Sequence, residues 1–169
     1  MLVIIQKLVA ILAFTSLLTA YSGVASAAAS GKKPLLNKNE FSIGAGVSIN
    51  SVDVPGFNDD EAGFQFFGAY DLSAINIMDG VDSSIEFGYM DYGFDQGDGD
   101  GIWATFVVDG AISGQLGWLA RLGLDFGDDS GLMIGAGVSL SLSKKLDTRL
   151  EYVVRDDVDS IQLNFLYRL

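Results

Sequence analysis

A chain of 169 residues that is 49% hydrophobic yet carries a net charge of −12 is long enough for one domain and too acidic for nucleic acid, whose phosphates it would repel. With no cysteine it forms no disulfide or thiolate metal site, and with no histidine it lacks the commonest general base and metal ligand. A mean hydropathy of +0.33 beside that acidity calls for two solvents on one molecule, hydrocarbon against the apolar residues and water against the carboxylates.

The N-terminus reads as a targeting segment. Lys7 precedes an apolar run over residues 8–18, and Ala25-Ser26-Ala27 supplies a small-x-small pattern, so residues 1–27 are expected to be a signal peptide cleaved after Ala27. The alternative is an uncleaved anchor, since the apolar stretch approaches the length of a spanning helix. Residues 28–39 form a polar linker, and residues 40–169 the remaining domain.

That domain alternates with a period of two. In the first segment Phe41, Ile43, Ala45, Val47 and Ile49 share one face and Ser42, Gly44, Gly46, Ser48 and Asn50 the other, because successive strand side chains point to opposite sides. The second sets Phe64, Phe66, Gly68, Tyr70 and Leu72 against Gln65, Phe67, Ala69 and Asp71; the third sets Ile85, Phe87 and Tyr89 against Ser84, Glu86, Gly88 and Met90. The fourth, residues 102–112, has Ala104, Phe106 and Val108 on its apolar face. In the fifth Leu116, Trp118, Ala120, Leu122, Leu124 and Phe126 oppose Gln115, Gly117, Arg121, Gly123 and Asp125. The sixth places Leu132, Ile134, Ala136, Val138, Leu140 and Leu142 against Gly135, Gly137, Ser139 and Ser141. The seventh places Leu146, Thr148, Leu150, Tyr152 and Val154 against Asp147, Arg149, Glu151 and Arg155. The eighth opposes Ile161, Leu163, Phe165, Tyr167 and Leu169 to Gln162, Asn164 and Arg168.

Segments of this length match tilted membrane-spanning strands, and an even number closes with both ends on one side. The expected fold is all-β: an eight-stranded antiparallel up-and-down transmembrane β-barrel. Closure is needed because an open edge in lipid leaves backbone groups unpaired. Glycines on the polar face suit a narrow interior. A soluble barrel or sandwich also alternates, but its polar face would meet water, and here that face carries few lysines and many glycines and serines. Aromatics near segment ends, Phe41, Tyr70, Trp118 and Tyr167 toward one rim and Phe64, Tyr89 and Phe126 toward the other, suit interfacial girdles.

These residues resemble the small outer-membrane β-barrels related to the OmpA transmembrane domain. The resemblance is carried by Gly135-Ala136-Gly137-Val138-Ser139, Leu150-Glu151-Tyr152 and Phe165-Leu166-Tyr167-Arg168-Leu169 at the end. Gly68-Ala69-Tyr70-Asp71 followed by Ser84-Ile85-Glu86-Phe87-Gly88-Tyr89 is similar to the family's second and third strands. It implies an outer-membrane location and recognition by the barrel-assembly machinery through Phe165, Tyr167 and Leu169, the last standing where the family typically has phenylalanine.

With both termini periplasmic, the segments 51–62, 93–101, 127–131 and 156–159 face outward. They hold Asp53, Asp59, Asp60, Glu61, Asp95, Asp98, Asp100, Asp128, Asp129, Asp156, Asp157 and Asp159 and no lysine or arginine. Such carboxylates can supply oxygen ligands to Ca²⁺ or Mg²⁺ and approach lipopolysaccharide through those ions. Asp95, Asp98 and Asp100 are the candidate ligands, though their run lacks the spacing and terminal glutamate of an EF-hand. The simpler reading is a set of solvated, mobile loops. Inside, Asp71, Glu86, Asp125, Asp147 and Glu151 share the polar face with Arg121, Arg149, Arg155 and Arg168, which predicts salt bridges plugging the lumen. No cofactor is implied, and no catalytic set is found. Ser141-Leu142-Ser143-Lys144 fits a Ser-x-x-Lys pattern without its partner motifs. The expected role is a non-enzymatic envelope or surface protein in contact with outer-membrane lipids and lipopolysaccharide; the alternatives are a small-solute channel and a soluble periplasmic binding barrel.

Overall fold

The computed structural model describes residues 40–52, 60–72, 77–94 and 99–169. The expected signal peptide and linker lie outside these residues. Eight strands follow one another: β1 Phe41–Val52, β2 Asp60–Asp71, β3 Val81–Asp91, β4 Asp100–Ser113, β5 Leu116–Asp125, β6 Gly131–Ser141, β7 Leu146–Val154 and β8 Val158–Arg168. Each pairs antiparallel with its chain neighbours, and β1 pairs with β8 from Ser42↔Arg168 to Val52↔Val158, closing the barrel. The closed eight-stranded architecture expected from the alternation is the one observed. Closure removes every free sheet edge.

The two faces separate as the period of two requires. Val47 and Ile49 are 58% and 57% exposed on the outside, while Ser48 and Asn50 between and beside them are buried. Outward apolar residues recur on every strand, among them Phe66, Ile85, Phe106, Leu122, Ile134, Leu150 and Leu163. A soluble monomer rarely exposes an apolar patch beyond a few hundred Å². An apolar surface running round all eight strands has hydrocarbon as its natural solvent.

Several strands begin earlier than the alternation indicates. β2 starts at Asp60, β3 at Val81, β4 at Asp100 and β8 at Val158, so Asp60, Glu61, Asp100 and Asp159 belong to strands rather than loops. Their backbone pairing extends the ladder past the last apolar residue: Asp60 opposes Ser51 and accepts its hydroxyl at 2.5 Å. The β4–β5 connection is a tight turn in which Gly114 takes φ +56°, a left-handed conformation that favours glycine.

The interior is more apolar than a lumen of charges and tiny residues. Phe67, Met90, Trp103, Met133, Val153 and Leu166 form a buried cluster. Register makes room for the large ones. Gly44 lies directly opposite Phe67 and Gly88 directly opposite Trp103, and a Cβ on either glycine would strike the facing ring. Gly135 faces Arg121 and Gly137 faces Glu151 in the same way. These four bulky inward side chains each lie across a neighbour's glycine, which helps a narrow barrel fill to interior density.

The two ends differ. At the distal end, away from the termini, four strands finish on carboxylates: Asp60, Asp91, Asp100 and Asp125. At the terminal end apolar residues run into the connections, with Ile77, Met78, Ile112 and Leu142 exposed.

Candidate functional site: the charged lumen

Inward positions in the middle of β3, β5 and β7 bring four charges together. Arg121 Nη2 lies 3.2 Å from Glu86 Oε2 and 2.5 Å from Glu151 Oε2, and Arg149 Nη1 lies 2.5 Å from Glu86 Oε1. The chain Arg149–Glu86–Arg121–Glu151 alternates in sign and is formally neutral. The side chains of Arg121, Glu86 and Glu151 have no accessible surface. Removing charges from water is costly, and only paired, hydrogen-bonded charges are tolerated there.

Amides continue the network around the wall. Asn164 Nδ2 donates to Glu151 Oε1 at 2.9 Å, and Gln65 Nε2 donates to Asn164 Oδ1 at 2.7 Å and to Gln162 Oε1 at 2.8 Å. Trp103 packs beneath the charges, with the Arg121 guanidinium carbon 5.5 Å from its ring centroid. Arg121 Nε and Nη1, Trp103 Nε1 and Thr105 Oγ1 are buried without a hydrogen-bond partner among the described residues. The network therefore fixes geometry at some cost in stability.

A second network closes the distal mouth. Tyr92 Oη donates to Asp125 Oδ2 at 2.6 Å, and Arg155 Nε reaches the same oxygen at 3.1 Å. Arg155 Nη1 donates to Ser160 Oγ at 2.8 Å, Ser160 Oγ to Asn50 Oδ1 at 2.7 Å, and Asn50 Nδ2 to the Tyr92 carbonyl at 2.8 Å. The circuit returns to its starting residue. Burial pushes the Tyr92 hydroxyl well above the usual phenol range, with Arg155 opposing and Asp125 adding to the rise, so Tyr92 remains the donor.

Among the described residues, the acidic connections β5–β6 and β7–β8 are tied down by hydrogen bonds. Asp129 accepts the backbone N–H groups of Asp157 and Val158, both at 3.0 Å, tying the β5–β6 connection to the start of β8. Burial raises its carboxyl above the ordinary range, and those two hydrogen bonds oppose the shift. Asp128 N–H donates to the Asp100 carbonyl at 3.1 Å, and Asp100 accepts the Tyr89 hydroxyl at 2.7 Å. Of the candidate cation ligands, Asp95 and Asp98 lie outside the described residues. Among the described residues no group of three carboxylates could hold a metal ion.

Not every expected lumen charge sits in the buried network. Asp71 is exposed at the end of β2. Arg168 and Asp147 pair at 2.8 Å with Arg168 58% exposed, so this bridge stands at the rim. Both departures follow from position, since the parity that points inward in mid-strand points to open water at a strand end. Phe165 and Tyr167 face outward on β8, and the Leu169 N–H donates to the Phe41 carbonyl at 3.0 Å. Missed altogether were Trp103, Leu119, Met133 and Val153, apolar residues on the inward face; the glycines opposite large positions were the signal that could have found Trp103.

A closed antiparallel barrel with a continuous apolar exterior and ion pairs inside is the architecture of the membrane β-barrels. The comparisons agree at the level of fold. The chain is similar to the outer-membrane enzyme PagL (11% identity, TM-score 0.56, 76% of this chain and 99% of that one). It is similar to a de novo designed transmembrane β-barrel (14%, 0.55, 78% and 96%). It is also similar to Ail, the attachment invasion locus protein of Yersinia pestis, solved with the heparin analogue sucrose octasulfate (18%, 0.51, 76% and 97%). No family model and no curated protein matches the chain.

Proposed function

We propose that this chain is a non-enzymatic outer-membrane barrel of the OmpA-like kind, exported by a cleaved signal peptide and contributing to envelope integrity or surface interaction. The observation that carries the reading is the inversion of solvents: Leu122 and Ile134 face out, whereas Arg121 and Glu86 are sealed inside. A plugged lumen is supported by the same charges together with Trp103, Met90 and Met133, all without accessible surface. The inward carboxylates Glu86 and Glu151 are held by arginines, which leaves them poor candidates for acid–base chemistry. Outer-membrane lipids and lipopolysaccharide are the proposed surroundings, with the acidic distal end approaching their phosphates through divalent cations. The barrel-assembly machinery is the proposed partner in biogenesis, reading the strand that ends Phe165, Tyr167 and Leu169.

The test is outer-membrane fractionation followed by gel mobility before and after boiling. A folded barrel migrates differently in the two samples; recovery in the soluble periplasmic fraction without detergent refutes the assignment. Planar-bilayer recordings address the plug separately, and a large stable conductance would remove it.

A further inference from the structure

The described basic residues divide into two groups. Arg121 and Arg155 are buried in the lumen and Arg149 reaches Glu86 there, whereas Lys144, Lys145 and Arg168 stand at the terminal end. Arg168 is paired with Asp147. Among the described residues neither lysine belongs to an ion pair, and both are exposed.

The turn that carries the lysines is held rigidly. Leu142 and Ser143 donate their N–H groups to the Leu146 carbonyl at 2.9 and 3.1 Å, and Ser143 Oγ accepts the N–H groups of Lys145 and Leu146 at 3.3 and 3.1 Å. Lys145 Nζ lies 5.5 Å from the ring centroid of Tyr167, which is exposed, as are Leu142 and Leu169 at the same end. A second feature fixes the level of this cluster. At this end exposed apolar residues continue into the connections at Ile77, Met78 and Leu142, with Ile112 exposed one residue before the end of β4. Hydrocarbon therefore reaches the turns here, and the two ammonium groups fall where phosphates begin.

We infer that Lys144 and Lys145, with Tyr167, form a docking site for the headgroup of an anionic phospholipid in the leaflet at the terminal end. The inference rests on the membrane reading above. The phosphate is held by two uncompensated ammonium groups, the Tyr167 ring orients one of them, and Leu142, Leu169 and the ring contact the acyl chains.

The barrel inserted into vesicles of phosphatidylcholine containing a minority of phosphatidylglycerol, then released and weighed by native mass spectrometry, reports which lipid stays bound. Wild type is expected to retain phosphatidylglycerol preferentially. Lys144→Gln and Lys145→Gln are each expected to weaken that preference about fivefold, the effect of one basic residue near an anionic surface, while Lys145→Arg preserves it. Heat-modifiability of each variant verifies that the barrel has folded. Unchanged phosphatidylglycerol retention by the folded double variant, or retention of phosphatidylcholine alone by wild type, overturns the site. Failure of wild type to insert into these vesicles overturns the membrane reading and the site with it.

Discussion

Arg121 touches Glu86 and Glu151 at once; its removal leaves Glu151 without a cationic partner where no water reaches it, while Glu86 keeps Arg149. Arg121→Met is expected to destabilise the folded barrel by about 3–5 kcal/mol, read as a lower denaturant midpoint. Combining it with Glu151→Gln leaves Arg149 and Glu86 as a neutral pair and should recover much of the loss; no recovery would mean that the pairing is incidental. Asp129 gives a pH signature of known sign. Its folded-state pKa is raised by burial, so the native state holds a proton that the unfolded chain has released. Stability should therefore fall as pH rises from the ordinary carboxylate value of 3.8 through the raised one, and Asp129→Asn should flatten that slope. Denaturant titrations of both proteins across this range measure the difference. The inward parity of Glu86, Arg121 and Glu151 can be read from the alternation. Which arginine meets which carboxylate cannot, because that depends on register through the four strand pairings from β3 to β7.

Along each strand, the repeat shows where an element lies better than where it stops. β1 and the middle of β8, from Ser160 to Asn164, are legible almost residue by residue because their inward positions are small or amide-bearing and their outward ones mostly apolar. The start of β2 is not, since Asp60, Glu61 and Ala62 carry no apolar rhythm and owe their extension to pairing with Ser51, Asn50 and Ile49. β4 hides its interior for a different reason: Trp103 and Val107 are apolar on the inward face, so both faces look alike. Gly88 opposite Trp103 resolves the ambiguity once register is known. Gly88→Val is expected to cost about 1–3 kcal/mol by overpacking, and Trp103→Leu in the same chain should offset part of it. Additive losses in a double-mutant cycle would show that the two positions do not share space.

For the molecule as a whole, the sharpest question is what bathes the exterior. Leu122 is 54% exposed in the middle of β5. In a bilayer Leu122→Arg should destabilise by about 2–4 kcal/mol, whereas on a water-facing surface the same change stays within about 0.5 kcal/mol. Unfolding measured in vesicles separates the two, and a neutral result removes the bilayer. Closure of β1 on β8 has a consequence in time. Ser42 finds its partner only when Arg168 has been made, so the earliest strand is the last to be satisfied on both flanks. Any nascent or prematurely terminated form offers two raw borders to its surroundings and gains nothing from entering oil. Insertion should then be all or none, slow to begin, and indifferent to most of the chain until its final dozen residues arrive.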